Sequence, residues 1–417
     1  MFLKKLSLQN FKCLSAIDLS LEKSALENRK WTIILGENGT GKSNVLKAIA
    51  LITAGSNALG ELLGNSDNWI NYNEASCTIS VELATKKGEE RRISLHLNRG
   101  DTLSRIISNN QESLQLIDSA IENAERNYFV VAYGASRRLS TESFSTFERS
   151  RNSRSVNVRN LFDNAATLNP LAAWIMELDY RSGTEGINVV KDALQDFLPG
   201  IEFYAIDKER KQVLFKTVDG IIPLDQLSDG YQNMAAWIGD LLFRITETFK
   251  DYRKPLEARG LLLIDEVDLH LHPKWQRKLY DFISSKLPNF QVIATTHSPL
   301  TAQQADTDEL FALKRNDANV VELIPFVGSP KSLLVNQLLM SPVFGLETDE
   351  SYEIEQTKIE YEDLKSRADV LSIHEQEKLR TVKQKLKTAL PKRENPTASQ
   401  KELELLQKIE QKLNLDV

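Results

Sequence analysis

Gly36-Glu37-Asn38-Gly39-Thr40-Gly41-Lys42-Ser43 fits the spacing GxxxxGK[ST], and it lies between an apolar run and a stretch of helical periodicity. Glycines at these places let successive backbone N–H groups curl around an anion, and the N-terminus of the following helix adds partial positive charge. The pattern calls for a nucleoside triphosphate. Lys42 would neutralise its β- and γ-phosphates, and the Ser43 hydroxyl would ligate magnesium. Gly36, Asn38, Gly39, Thr40, Gly41 and Asn44 complete the expected contacts. A second constellation is Gly260-Leu261-Leu262-Leu263-Ile264-Asp265-Glu266. Its apolar residues make a strand buried on both faces, which leaves two carboxylates at the carboxyl end. Asp265 would reach the Mg2+ through water, and Glu266 would polarise an attacking water as general base.

Two more segments carry chemistry. In Leu227-Ser228-Asp229-Gly230-Tyr231-Gln232, Ser228 is a good helix N-cap before a helical stretch from Met234 to Phe243, so a helix N-terminus would face an anion. The strand Val292 to Thr296 runs into His297, 31 residues after Glu266. In order, the four segments resemble the Walker A, signature, Walker B and switch-histidine motifs of ABC-type ATPases. The resemblance covers residues 36 to 297. It implies an α/β head with a central, mostly parallel sheet, an antiparallel β lobe, an inserted helical lobe and a C-terminal helical tail. It further implies that ATP and Mg2+ held by one copy are capped by Ser228 and Gly230 of another, so that hydrolysis needs a homodimer or higher oligomer. His297 would then sense the γ-phosphate, and Asp268, in the segment Val267 to Pro273, would serve the dimer contact. The signature departs from the usual LSGGQ, with Asp229 in place of a glycine and Tyr231 inserted.

The opening Leu8-Gln9-Asn10-Phe11-Lys12 resembles the start of RecF, SMC-like and OLD-type ATPases, which implies that Lys12 lies near bound nucleotide. From Ser43 to Ser228 is 185 residues, too short for the coiled-coil arms of SMC proteins. An OLD-type nuclease would continue into a Toprim domain, but the last 120 residues show no Glu followed by a DxD pair, so no nuclease site is expected in this chain. The segment Leu338 to Leu346 and the acidic, helical stretch beyond it resemble the PtuA ATPases of Septu-type and retron-linked antiphage systems. That resemblance implies a separate HNH nuclease docking on the C-terminal region.

These residues need elements to hold them. Alternation over Leu3 to Leu21 reads as strands, and Trp31 to Leu35 as a buried strand before a helix from Ser43 to Thr53. Residues 76–98 read as a hairpin closed near Lys86-Lys87-Gly88. A helix over 110–126 leads to a strand from Phe129 to Ala132. Tyr133-Gly134-Ala135-Ser136-Arg137-Arg138 follows where ABC heads carry a glutamine. None stands there, and Arg137 or Arg138 could face phosphate or simply open a basic loop. Residues 136–160, with Arg149, Arg151, Arg154 and Arg159, read as a mobile loop, either solvated or contacting DNA or RNA over 137–159. The organisation expected is 1–135 and 226–330 as the two parts of the head, 136–225 as basic loop and inserted lobe, and 331–417 as a tail broken by Pro391 and Pro396.

Composition sets limits. A charged fraction of 26% against 41% hydrophobic residues suits a packed core, and a net charge of -6 argues against wholesale coating of nucleic acid. Cys13 and Cys77 make no disulfide framework or zinc pattern. His270 and His272 lack a convincing third ligand, so packing is the simpler reading of that pair. With no signal-peptide pattern or long apolar run, a cytoplasmic protein without a membrane span is expected. Three roles remain open at this point: the ATPase of a defence complex with a nuclease in trans, a RecF-like repair ATPase, and an ATP-gated scaffold.

Overall fold

The computed structural model describes residues 2–24, 27–84, 89–122, 129–138, 154–198, 200–249, 255–367 and 372–389. They fall into two compact units, Met1–Gly345 and Leu346–Val417.

The first unit opens on β1 (Phe2–Phe11) and β2 (Leu14–Ser20), a short ribbon of β3 (Glu22–Ser24) and β4 (Glu27–Asn28), and then β5 (Trp31–Gly36). Helices α1 (Lys42–Thr53) and α2 (Ser56–Leu62) precede the hairpin β6 (Ser76–Ala84) and β7 (Glu90–Asn98). After α3 (Leu103–Asn109) and α4 (Gln111–Glu122), the chain runs through β8 (Val130–Tyr133), α5 (Arg154–Phe162) and α6 (Leu171–Phe197). A three-stranded sheet follows, β9 (Glu202–Asp207), β10 (Gln212–Thr217) and β11 (Gly220–Pro223). The unit is completed by α7 (Asp229–Thr248), β12 (Gly260–Ile264), α8 (Pro273–Lys286), β13 (Phe290–Thr295), α9 (Pro299–Ala302), β14 (Leu310–Arg315), β15 (Val321–Pro325) and α10 (Val335–Leu339).

The central sheet has the order β15-β14-β5-β13-β12-β8. Its pairs are parallel except at the β15 edge. Every residue of β12 and β13 is buried, the signature of a parallel sheet covered on both faces. Because side chains alternate along a strand, Leu262 and Ile264 enter one core with Trp174, Trp237 and Leu279, whereas Leu261 and Leu263 enter a second with Val45, Ile49 and the β1–β6 sheet. That second sheet is antiparallel, in the order β2-β1-β6-β7. The Gln291 side chain stitches it to the central sheet: its Oε1 accepts from Leu3 N and its Nε2 donates to Leu3 O, both at 2.9 Å. A buried amide satisfied on both ends stabilises this junction without leaving a polar orphan.

The α/β class, the mostly parallel sheet and the antiparallel lobe are as the sequence implied. Some elements differ. Residues 154–160 are not loop but part of α5, because Val158 and Leu161, three positions apart, turn one apolar face of an otherwise polar segment onto β8. Within the expected inserted lobe, Leu171–Phe197 form one helix, α6. Residues 331–345, expected in the tail, belong to the first unit, where Leu338 and Val343 enter its core.

The second unit, described through residue 389, contains α11 (Tyr352–Ser366) and α12 (Ile373–Ala389). Leu364 and Val382 are its buried apolar side chains among the described residues, and Lys378 pairs with Glu360. Pro391 and Pro396 lie outside the described residues. Among those described, no helix is long and apolar enough to cross a membrane.

Candidate functional site

β5 delivers the chain into a turn that only glycine can make in two places. A Cβ on Gly36 would sit 2.7 Å from the Leu313 carbonyl of neighbouring β14, and Gly41 has φ +96° with Leu14 Cδ2 2.8 Å from where a Cβ would be. Within the turn, Lys42 Nζ donates to Gly36 O at 2.8 Å and Glu37 O at 2.9 Å, and Thr40 Oγ1 donates to Glu37 O at 2.9 Å. Burial pulls the Lys42 ammonium below its ordinary pKa, while Asp265, Glu266 and Glu37 pull it back up. The lysine is therefore held inside the loop, close to both carboxylates at the end of β12. Ser43 is half-buried at the start of α1, and Asn44 Nδ2 lies 3.7 Å from Cys13 Sγ.

The β12 carboxylates are fixed by β13. Thr295 Oγ1 donates to Asp265 Oδ1 at 2.6 Å and accepts from Glu266 N at 2.8 Å. Asp265 N donates to Tyr133 O at 2.8 Å. Glu266 has φ +47°, left-handed backbone that a residue with a side chain adopts at some cost. His297 is exposed at the end of the next strand. It lines a cavity of about 120 Å³ with Gly36, Glu37, Thr296, Lys314 and Phe344, so the structure brings it to the glycine turn.

Ser228 occupies the N-cap position of α7, but its hydroxyl makes no capping bond. The segment is held by Gln232, whose Nε2 donates to Asp225 O at 3.0 Å and Leu227 O at 2.6 Å. Gly230 packs beside the loop after β12, with His270 O 3.1 Å from where a Cβ would stand. Asp268 is buried, and its carboxylate accepts from Thr296 Oγ1 at 2.7 Å and Thr301 Oγ1 at 3.0 Å. It thus braces its own loop against the segment carrying His297. His272 is exposed and caps α8 by accepting from Lys274 N at 3.3 Å, a capping role rather than the packing expected of it.

Lys12 lies in the β1–β2 turn with Nζ 4.4 Å from the Trp69 ring centroid. Burial and the neighbouring Lys47 lower its pKa. The next residue, Cys13, packs on Gly41, so Lys12 stands near the glycine turn but engages an aromatic face. Of the basic loop, Arg149 and Arg151 lie outside the described residues, whereas Arg154 and Arg159 belong to α5 and Arg138 is exposed. Arg137 points inward. It is buried and donates from Nη2 to Asp265 O at 3.1 Å and to Glu266 O.

Sequence reasoning passed over Thr295, which sits in an apolar strand pattern with nothing to mark its hydroxyl as shared. It also passed over a buried network around Asp240. The Asp240 carboxylate accepts from Tyr133 OH at 2.8 Å, from Asn169 Nδ2 at 2.6 Å and from Arg244 Nε at 2.5 Å. Arg244 in turn reaches Asn157 Oδ1 at 2.8 Å. The spacing of Asp240 and Arg244 at i,i+4 was visible, but their partners come from β8, α5 and the loop before α6.

Residues 32–302 match a family described as "AAA domain, putative AbiEii toxin, Type IV TA system". The chain belongs to this AAA-domain family. Within it, the sequence is 29% identical over 351 residues to the Septu protein PtuA of Bacillus mycoides (strain KBAB4), which takes in 83% of this chain and 45% of that protein. It is 22% identical over 392 residues to the Retron Vc95 probable ATPase of Vibrio cholerae serotype O1 biovar El Tor, 78% of this chain and 75% of that protein. The AAA-domain chain thus spans less than half the length of the Bacillus mycoides relative. Among solved structures it is similar to an SMC head bound to the C-winged helix domain of ScpA, at 17% identity and a TM-score of 0.47, covering 78% of this chain and 98% of that one.

Proposed function

We propose that this chain is a Mg2+-dependent ATPase whose sites are completed by pairing two heads. The observation that carries the reading is Lys42, buried in a glycine turn beside Asp265 and Glu266. The residues fit the ligands. With no room for a Cβ at Gly36 or Gly41, the turn suits a backbone that curls around phosphate oxygens. One serine hydroxyl and one carboxylate suffice for Mg2+, which keeps most of its coordination for water and phosphate. When bound there, the metal would neutralise charge on the β- and γ-phosphates.

The chain's own groups then divide the work. Lys42 exchanges its two carbonyl partners for phosphate oxygens. Asp265, oriented by Thr295, would hold Mg2+ together with Ser43. Glu266 accepts a proton from the attacking water, and His297 reads the γ-phosphate from the cavity it shares with Gly36 and Glu37. Pairing is supported by Ser228 and Asp229, which are exposed, and by the Ser228 hydroxyl, which is not spent on capping its own helix. A second copy's nucleotide is the partner that an N-terminal serine on a twenty-residue helix suits.

The likeness to a Septu PtuA and to a retron ATPase supports a place in an antiphage defence system, as the cytoplasmic ATPase subunit that controls a nuclease supplied in trans. We assign the docking of an HNH-type nuclease to the C-terminal region, and contact with DNA or RNA to the arginines of 137–159 other than buried Arg137. The test is Glu266→Gln. The variant should bind ATP, lose hydrolysis by about 100-fold or more, and elute as a dimer in ATP. A variant that hydrolyses ATP like the wild type would remove Glu266 as the base.

A further inference from the structure

We propose that Arg137 is a positioning residue for hydrolysis, holding the backbone of Glu266 in the conformation from which its carboxylate can act. The inference rests on the reading of Glu266 as the general base. The geometry is specific. One guanidinium nitrogen, Nη2, donates to both Asp265 O and Glu266 O. Those carbonyls belong to the two peptide planes that flank the Glu266 Cα, so a single rigid group constrains both φ and ψ of that residue. The residue so constrained is the one at φ +47°, a region that a side-chain-bearing residue keeps only when its surroundings over-determine it.

Arg137 is itself held from two helices. Its guanidinium lies 5.9 Å from the Trp237 ring of α7, the helix that begins at the signature segment. The short segment that carries it is tied to α5 through Asn160, whose Oδ1 accepts from Gly134 N at 2.9 Å and whose Nδ2 donates to Ser136 O at 2.9 Å. A guanidinium keeps its charge at neutral pH wherever it sits in a protein. A buried cation among carbonyls is costly unless those bonds are made, which gives the arrangement one geometry. Arg137 thereby links the signature helix to the backbone of the catalytic pair without touching nucleotide.

The experiment compares Arg137→Met and Arg137→Lys with the wild type and Glu266→Gln. It measures steady-state ATP turnover, affinity for a fluorescent ATP analogue, and cooperative melting. Positioning predicts that Arg137→Met loses about 10- to 100-fold in kcat while analogue affinity stays within about threefold, and that Arg137→Lys, whose ammonium can bridge the same carbonyls, recovers part of the loss. Wild-type kcat in Arg137→Met would overturn the proposal, and so would affinity falling in step with turnover, which marks a phosphate contact or a collapsed site. Should Arg137→Met fail to melt cooperatively, Arg137→Lys decides: lowered kcat with kept affinity supports the proposal, and unchanged kcat overturns it. A hydrolysing Glu266→Gln would instead sink the base assignment, and the Arg137 role with it.

Discussion

At the carboxyl end of β12, one threonine hydroxyl serves two groups of opposite character: Thr295 donates to the Asp265 carboxylate and accepts from the Glu266 backbone N–H. Thr295→Val keeps the shape and removes both bonds, leaving a part-buried N–H and a buried carboxylate oxygen without this partner, so it should cost about 1–3 kcal/mol. It should also lower kcat by about tenfold, since Asp265 is left to wander. Denaturant unfolding and ATP turnover check the two effects, and a variant equal to the wild type in both would remove Thr295 from the site. The neighbouring residues differ in how far the sequence betrays them. The places of Lys42, Ser43, Asp265 and Glu266 are legible because they depend on local spacing along strand, turn and helix. Thr295 and Arg137 act through pairings across β12, which a linear pattern does not display. Asp268 is a mixed case: its loop was recognised, yet its carboxylate is spent on Thr296 and Thr301.

Among the elements, β5, β12 and β13 could be read from largely apolar runs, and β6–β7 from strict alternation. Helix α5 could not, because its polar residues mask two apolar positions. The turn before β14 hides another feature. Glu309 is buried, and Tyr280 OH donates to its Oε2 at 2.7 Å. Burial raises its carboxyl pKa above the ordinary 4.5. An acid raised on folding favours the folded state most when protonated, so this contribution is full below pH 4.5 and is lost as pH climbs through the folded value. Glu309→Gln keeps an acceptor for Tyr280 and abolishes the titration. The melting temperature of the variant, measured against that of the wild type, should therefore rise steadily from pH 4.5 towards neutrality. Parallel pH profiles would mean that Glu309 ionises without penalty.

For the molecule as a whole, the order of the four motifs announced the head, and the family match over residues 32–302 agrees with it. The limits of the head were harder to see. Residues 331–345 were expected in the tail, yet Leu338 and Val343 are drawn into the core of the first unit, and Phe344 into the cavity of His297. The central claim is a site shared between two copies, with Lys42 from one and Ser228 from the other. It is tested most directly by mixing two dead proteins, Lys42→Ala and Ser228→Arg, and measuring ATP hydrolysis. In a symmetric pair, half of the randomly mixed dimers carry one intact site, so the account predicts recovery of roughly a quarter of wild-type activity. A mixture as inactive as its two components, beside an active wild type, would contradict it.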